Sequence, residues 1–403
     1  MATLLNLPGV RIQEVRLGAP PIAGVGTSTA GFVGQAPDKA RFPNVLRQVT
    51  SADQFFADYI RDPTAPDDET KGAQANTNLG KAVLGFFQNG GTECFIVNTV
   101  DETQGQIQKG LDLLATKEEI DIIAAPGIIL PAIYDALRDQ AAGTSNRFAI
   151  LDPPPAVTDI ADLQKGGGKR PKDSIWAGFY YPRIQVAPVL KKDKDDVQAD
   201  PTLQQAATKE IVFAPPSGHV AGLYARTDGE RGVHKAPANA PLFGAQAVEH
   251  LITDSQQDVL NNDSVNIIRS FSEGPVVFGA RTLLVNDAPD KTFRYISVRR
   301  LATFIEQSLR IGLRFAVFEP NNLALRQTIT RSVRGFLDGV WRDGALFGAT
   351  ADEAYYVRFP DSFNTDTERA LGKLTLEVGI RVAPPAEFII IRIGLLDRPA
   401  NAA

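Results

Sequence analysis

The stretch that decides the architecture runs from Phe293 to Phe347: FRYISVRRLATFIEQSLRIGLRFAVFEPNNLALRQTITRSVRGFLDGVWRDGALF. Its pattern predicts a helix, a short buried strand over Leu313–Phe318, a Glu-Pro-Asn-Asn turn and a second helix over Leu323–Asp343. The stretch holds nine Arg, no Lys and four acidic residues. Because the guanidinium is a rigid, forked donor, this composition indicates nucleic acid, an acidic protein partner or an internal ion-pair network.

The second helix is amphipathic. At 100° per residue its apolar side chains share one face, which is expected to pack on a core; they are Leu325, Ile329, Val333, Phe336, Leu337 and Val340. Arg331, Asp338 and Arg342 lie roughly opposite, with Arg334 on the flank. Solvent, an acidic protein or nucleic acid could face this stripe, although the net charge of -5 and the lack of interleaved aromatics argue against nucleic acid.

Composition limits the remaining function classes. A chain of 403 residues with 43% hydrophobic and 22% charged residues fits two or three folded domains. No run approaches the roughly 18 apolar residues that span a bilayer, and the N-terminus has no signal-peptide pattern, so cytoplasmic synthesis is expected. Cys94 is the single cysteine, which excludes an intrachain disulfide and a cysteine-based zinc site.

The first half of the chain alternates between buried strands and helices. This order predicts a parallel sheet covered by helices on both faces. The predicted strands are Thr29–Gly34, Cys94–Val97, Ile120–Ala125 and Phe148–Leu151, and the predicted helices are Leu79–Gln88, Ile107–Leu114 and Ile128–Ala141. An aromatic strand over Trp176–Val186 and a hairpin within residues 264–285 follow.

Two strand-like segments stand alone near the chain ends. Val10–Val15 has no hairpin partner nearby in sequence, and the β-branched Glu387–Ile393 lies close to the C-terminus. Each could be an edge strand of its own domain, or an arm that adds a strand to a neighbouring chain.

Ser217 and His219 are the candidates for a hydrolase site. Adjacent side chains rarely face each other, and a catalytic triad is assembled from separate loops, so the alternative is a turn over Ser217–Gly222 shaped by Pro215 and Pro216. The three His have no metal-ligand spacing, and no glycine-rich piece matches a phosphate loop. No catalytic, metal or cofactor site is predicted.

Several long blocks resemble the tail sheath proteins of contractile phage tails and related contractile injection systems. They occur in the family's order along nearly the whole chain: LPGVRIQEV, FFQNGGTECFIV, SGHVAGLYARTDGERGVHKAPAN, NIIRSF with VVFGARTL, RYISVRRLATFIEQSL, FEPNN, VRGFLDGVWRDGALFGATADEAYYV and LEVGIRVAPPAEFIIIRIG. The chain is therefore similar to a structural, non-enzymatic protein. The family's larger domain is often labelled subtilisin-like, which describes a fold and not an activity.

The resemblance implies a mixed α/β architecture with four parts. These are an N-terminal arm (residues 1–22), an outer α/β domain with a subtilisin-like sheet (23–263), an inner, tube-facing α+β domain (264–383) and a C-terminal arm (384–403). It also implies roles for individual residues. The arm strands would be Val10, Arg11, Ile12, Gln13, Glu14 and Val15, with Glu387, Phe388, Ile389, Ile390, Ile391, Arg392 and Ile393; the tube-facing helix would present Arg331, Arg334, Asp338 and Arg342; the hinges would be Gly18, Pro20, Pro21, Pro384 and Pro385.

The resemblance further implies the partners. Subunits would form stacked rings around an inner tube protein, with baseplate and terminal cap proteins at the ends, and contraction would drive the tube through a target envelope. No cofactor, nucleic acid or membrane contact is expected, and assembly would take place in the cytoplasm. A static, non-contractile filament is the alternative, because arms and lattice contacts would look the same in its sequence; a subtilisin-like hydrolase is the third reading.

Overall fold

The computed structural model describes residues 21–59, 76–187 and 212–388. These residues form two compact units. Residues 25–305 with 382–388 are called the sheet unit, and residues 306–381 with 21–24 are called the helical unit.

The sheet unit is built on a large mixed sheet. The described part of this unit contains twelve strands: β1 (Ala30–Gly34), β2 (Leu46–Val49), β3 (Cys94–Asn98), β4 (Ile122–Ala124), β5 (Phe148–Leu151), β6 (Ala177–Tyr181), β7 (Ile184–Val186), β8 (Val212–Ala214), β9 (Ala240–Pro241), β10 (Ala245–Val248), β11 (Val265–Phe271) and β12 (Gly274–Val277). Nine of them lie in the order β2-β3-β1-β4-β5-β6-β11-β12-β9, and β10, β7 and β8 form a smaller sheet. The run from β3 to β11 is parallel, which confirms the predicted parallel sheet.

Two apolar clusters cover the two faces of this sheet. Phe32 and Ile96 belong to one cluster, while Val33 and Val97, the next residue along each strand, belong to the other. Successive side chains of a strand point to opposite faces, so this alternation places a core on each side. The helices that supply the rest of these cores are α1 (Ala52–Tyr59), α2 (Asn78–Gln88), α3 (Gln104–Ala115), α4 (Pro131–Thr144), α5 (Ser217–Arg231), α6 (Asp254–Asn262) and the first part of α7 (Ile296–Gly312).

The helical unit begins within α7 and continues through α8 (Leu323–Arg342), α9 (Ala351–Ala354) and α10 (Asp366–Ala370). Its strands β13 (Tyr355–Arg358) and β14 (Glu377–Ile380) form an antiparallel pair. The predicted apolar face of α8 is confirmed, since Ile329, Val333, Leu337 and Val340 are buried.

The predicted buried strand over Leu313–Phe318 is wrong. The Leu313 N–H donates to Leu309 and so extends the helical bonding of α7, and a 3-10 turn follows over Arg314–Ala316. Val317 is 61% exposed, and Phe318 is fully exposed with a φ of 68° in the left-handed region. A short apolar run does not itself show whether a neighbouring strand exists to pair with it.

One predicted domain boundary differs from the division of the structure, and several predicted segments lie partly or wholly outside the described residues. Strand β11 pairs in parallel with β6, so residues 265–277 lie in the sheet unit, whereas the predicted inner domain begins at residue 264; its functional boundary stays a prediction. Val10–Val15, Gly18, Pro20 and residues 389–393 lie outside the described residues. Pro21, Pro384 and Pro385 lie in segments without helix or strand, and so do Glu387 and Phe388, the described start of the predicted C-terminal strand.

Candidate functional site

The Ser217 region is the first turn of helix α5, so the predicted turn over Ser217–Gly222 is wrong. Ser217 is fully buried; its Oγ donates to Asp152 Oδ2 at 2.6 Å, and its backbone N–H donates to Oδ1 at 2.8 Å. The Gly127 N–H donates to the same carboxylate at 3.0 Å. Asp152 thus caps a helix from 65 residues away in sequence, which satisfies donors that a helix start leaves unpaired.

This arrangement is a structural cap and lacks the geometry of a catalytic triad. In a triad a histidine lies between serine and aspartate, whereas here the two bond directly. His219 is two residues further along α5, so its side chain leaves the helix about 200° away, and it packs where a Cβ on Gly85 would lie. Burial lowers the pKa of His219 to about 4, which keeps the imidazole neutral.

The cap gives a prediction for Ser217→Ala. Burial raises the pKa of Asp152 to about 6, and the donors from Ser217 and Gly127 partly offset that rise. Because the variant removes one donor from a buried carboxylate, we expect the free energy of unfolding to fall by about 1–3 kcal/mol. The lost donor stabilises the ionised carboxylate, which predominates above the pKa of about 6, so the loss should be larger at about pH 8 than at about pH 5.

Urea unfolding at the two pH values measures this loss. Ser272→Ala, which removes an exposed hydroxyl, is the matched control and should change stability by less than about 0.5 kcal/mol. A peptidase activity that disappears in the variant would contradict the structural role.

The polar face of α8 is the second candidate site. Arg331, Arg334 and Arg342 are exposed, as the sequence predicts. Asp338 is half-buried and accepts a hydrogen bond of 2.5 Å from the Tyr355 hydroxyl, so it also serves inside the helical unit. Arg334 approaches Asp352 at 3.7 Å, and both side chains are well exposed, which makes this pair weak.

Two glycines lie along the same face, and the sequence prediction overlooked them. Gly335 and Gly339 are exposed. Apart from the adjoining residues and the helix's own backbone, no heavy atom of the described residues comes within 4 Å of a Cβ built at either position. Each costs roughly 0.8–1 kcal/mol of helix stability relative to alanine. Two glycines four residues apart in an amphipathic helix were the sequence signal that could have predicted a close-contact surface here. They leave a shallow surface, flanked by arginines, on which another backbone could lie.

The pair β13–β14 is the third candidate site. Tyr355 pairs with Ile380 and Arg358 with Glu377, and within the described residues no other strand pairs with either outer edge. An isolated two-stranded sheet is marginal in water, because its outer edges carry unpaired N–H and C=O groups. In the described part of the helical unit, an added strand could extend the sheet at either of these edges.

The described part of the chain offers neither a metal site nor a membrane-spanning helix. Across residues 21–59, 76–187 and 212–388, no group of three His, Cys, Asp or Glu side chains could hold a metal ion. No helix in those ranges has the length and apolar character to span a bilayer.

Sequence comparisons match most of the chain to one family. Residues 102–283 match the family described as the phage tail sheath protein central domain, and residues 288–395 match the phage tail sheath C-terminal domain. The tail sheath protein of Burkholderia phage BcepMu is 31% identical over 188 residues, which are 45% of this chain and 38% of that protein. The chain thus aligns with well under two thirds of this curated relative.

Structural comparisons cover nearly the whole chain. The anti-feeding prophage helical sheath in its contracted state has a TM-score of 0.72 and 30% identity, over 97% of this chain and 99% of that chain. The sheath complex of PVC, an extracellular contractile injection system, also in its contracted state, has a TM-score of 0.74 and 26% identity, over 98% of each chain.

Proposed function

The chain belongs to the phage tail sheath family, and we propose that it is the subunit of a contractile sheath that polymerises as stacked rings around an inner tube. The near end-to-end match with the anti-feeding prophage sheath, at 30% identity, carries this proposal. In the proposed function, contraction of the sheath drives the tube through a target envelope. The matched family and structural neighbours are structural sheath proteins, and the buried Ser217 cap agrees with a protein that is not an enzyme.

Two readings compete with a contractile sheath. A static filament would share the arms and lattice contacts, but the matched sheaths are described in a contracted state. A subtilisin-like hydrolase would need an accessible nucleophile, whereas Ser217 is fully buried. Negative-stain micrographs of particles before and after a trigger decide between the first two. A sheath that shortens and widens supports contraction, and an unchanged sheath length would leave the static filament.

The arms are proposed to add strands to the outer edges of β13–β14 in neighbouring subunits. The proposed donors are Val10–Val15 and Glu387–Ile393, whose β-branched residues suit strand addition. Main-chain hydrogen bonds would then link the subunits, while Gly18, Pro20, Pro21, Pro384 and Pro385 would act as hinges. Such head-to-tail contacts do not close on themselves, so they propagate into an open helical array.

Helix α8 is proposed to face the tube. Three exposed arginines and two exposed glycines form one face, while the opposite face is buried in the helical unit. This surface suits an acidic protein that approaches closely. The overall charge of -5 and the lack of interleaved aromatics on this face argue against nucleic acid.

Reversing the three charges tests this surface. With Arg331, Arg334 and Arg342 replaced by Glu, we expect docking on the tube to weaken by roughly tenfold or more, because each exposed contact is worth about 0.2–1 kcal/mol and repulsion replaces attraction. Added salt should reduce the difference. Cosedimentation with purified tubes measures the docking of each variant. Replacing Lys39, Lys109 and Lys165 by Glu is the control, because it changes the net charge by the same amount. Equal cosedimentation of both triple variants would show that α8 has another role.

The glycines give an independent test of the same surface. Gly335→Ala with Gly339→Ala should stabilise the free monomer by about 1–2 kcal/mol, because alanine is the better helix former and the space is open. A closely approaching partner would collide with the added methyl groups, so assembly on the tube should nevertheless weaken. Gly143→Ala and Gly229→Ala, at other exposed helical glycines with open space, are the controls. Stabilisation with undiminished assembly would contradict a close approach at α8.

The remaining partners follow from the same proposal. Baseplate and terminal cap proteins would bound the sheath at its two ends. Assembly would take place in the cytoplasm, and the particle would be a phage tail or a phage tail-like injection device.

A further inference from the structure

The root of the C-terminal segment is held by one carboxylate. Residues 383–388 have no helix or strand, and within the described residues their backbone makes no hydrogen bond to other backbone. Glu387 accepts from Arg281 Nη2 at 2.7 Å, from the Tyr295 hydroxyl at 2.9 Å and from Asn261 Nδ2 at 3.3 Å. Three separate parts of the sheet unit therefore converge on this side chain.

Arg281 is itself fixed in the sheet unit. Its side chain is 2% exposed, and Nη1 donates to the Asn261 carbonyl at 2.5 Å. The buried Asn266 side chain accepts from the Arg281 N–H at 2.7 Å and donates to its carbonyl at 2.8 Å. Burial alone would raise the pKa of Glu387, but the hydrogen bond and charge of Arg281 hold that pKa below its usual value. The carboxylate is therefore ionised at neutral pH and meets a cation that cannot move away.

We propose that Arg281 anchors the C-terminal segment through Glu387, so that a pull on this segment ends in the sheet unit. This proposal rests on the proposed sheath function, because it assigns the residues that bear the load between linked subunits. A carboxylate held by three donors, one of them a buried cation, resists detachment better than residues 383–386, whose backbone makes no hydrogen bond to other backbone of the described residues. This anchor revises the C-terminal hinge proposed above: the arm would turn after residue 387 rather than at Pro384 and Pro385, and its donor strand would begin at Phe388.

Glu387 is the residue to change, because it lies in a surface segment outside both apolar clusters. Glu387→Ala removes the anchor, and Glu387→Gln keeps the shape but loses the charge. Asp287→Asn, which breaks the exposed pair with Lys165 in the same unit, is the matched control. In the free Glu387→Ala monomer we expect chymotrypsin to cut after Phe388 about tenfold faster than in wild type, equivalent to about 1.4 kcal/mol of lost attachment. The cleavage rate of Glu387→Gln should lie between those of wild type and Glu387→Ala.

Breakage of the sheath during contraction tests whether the anchor bears the load between linked subunits. Both Glu387 variants should form extended sheaths of normal length, but these should break into short pieces when they contract, more often for Ala than for Gln. Wild type and Asp287→Asn should contract intact. Intact contraction of Glu387→Ala sheaths, or an unchanged cleavage rate after Phe388, would overturn the anchor while leaving the sheath function standing. A wild-type particle that never contracts would instead overturn the proposed function.

Discussion

Removal of residues 1–17 is expected to give a folded monomer that no longer polymerises. In the proposed sheath, the strand Val10–Val15 completes the two-stranded sheet of a neighbouring subunit. Main-chain hydrogen bonds carry that link, so its loss removes one contact from every subunit of the array. Sheath length in electron micrographs should therefore fall to zero, because an open lattice that lacks a repeated contact cannot propagate.

Folding should survive this deletion. Both apolar clusters of the described sheet unit are made from residues at and beyond Ala30, so the main core does not draw on residues 1–17. The thermal unfolding midpoint and the elution volume of the monomer measure this. Sheaths of normal length from the truncated protein would refute the arm.

Single prolines separate strand pairing from mere chain length. Successive N–H groups of a strand point to opposite sides, so one of Ile12→Pro and Gln13→Pro must remove a donor that faces the acceptor edge. That variant should polymerise poorly. Ile12→Ala and Gln13→Ala keep the N–H groups and should polymerise more nearly like wild type.

The parallel sheet could be predicted because its signal is local. Strands such as β3 contain a continuous apolar run, here Cys94–Val97, and the intervening helices have a clear apolar face, so pattern alone finds both. The same method failed at Leu313–Phe318, whose run is apolar except for Arg314. A strand there would have needed a partner, and the presence of a partner is a property of the fold rather than of the run.

Helix α5 was missed for the opposite reason. Ten of its fifteen residues are buried, so it shows no amphipathic pattern, and Pro215 with Pro216 suggested a turn. Proline is nevertheless well suited to the start of a helix, where its missing N–H costs nothing. The Asp152 cap and the Arg281–Glu387 pair could not be predicted either, because their partners are 65 and 106 residues apart in sequence.

The close packing of α5 on α2 leads to the second large effect, which is expected for Gly218→Ala. A Cβ at Gly218 would lie 2.1 Å from the Ala82 carbonyl oxygen and 2.3 Å from the Ala82 Cα. Gly222, one turn later, similarly faces the Phe86 carbonyl oxygen at 2.4 Å. These neighbours are backbone atoms, so no side-chain rotation can relieve the clash, and the two helices must separate.

Overpacking in a core commonly costs about 1–3 kcal/mol, and a clash with backbone should reach or exceed the upper end. Because a domain is stable by only about 5–15 kcal/mol, we expect Gly218→Ala to lower the urea midpoint sharply or to prevent folding. Gly229→Ala is the control on the same helix, where the space is open, and it should stabilise by up to about 1 kcal/mol. An unchanged midpoint for Gly218→Ala would mean that α2 and α5 do not pack this closely. Opposite effects of one added methyl group at two glycines of one helix would show that helix contact, rather than helix propensity, made glycine necessary at residue 218.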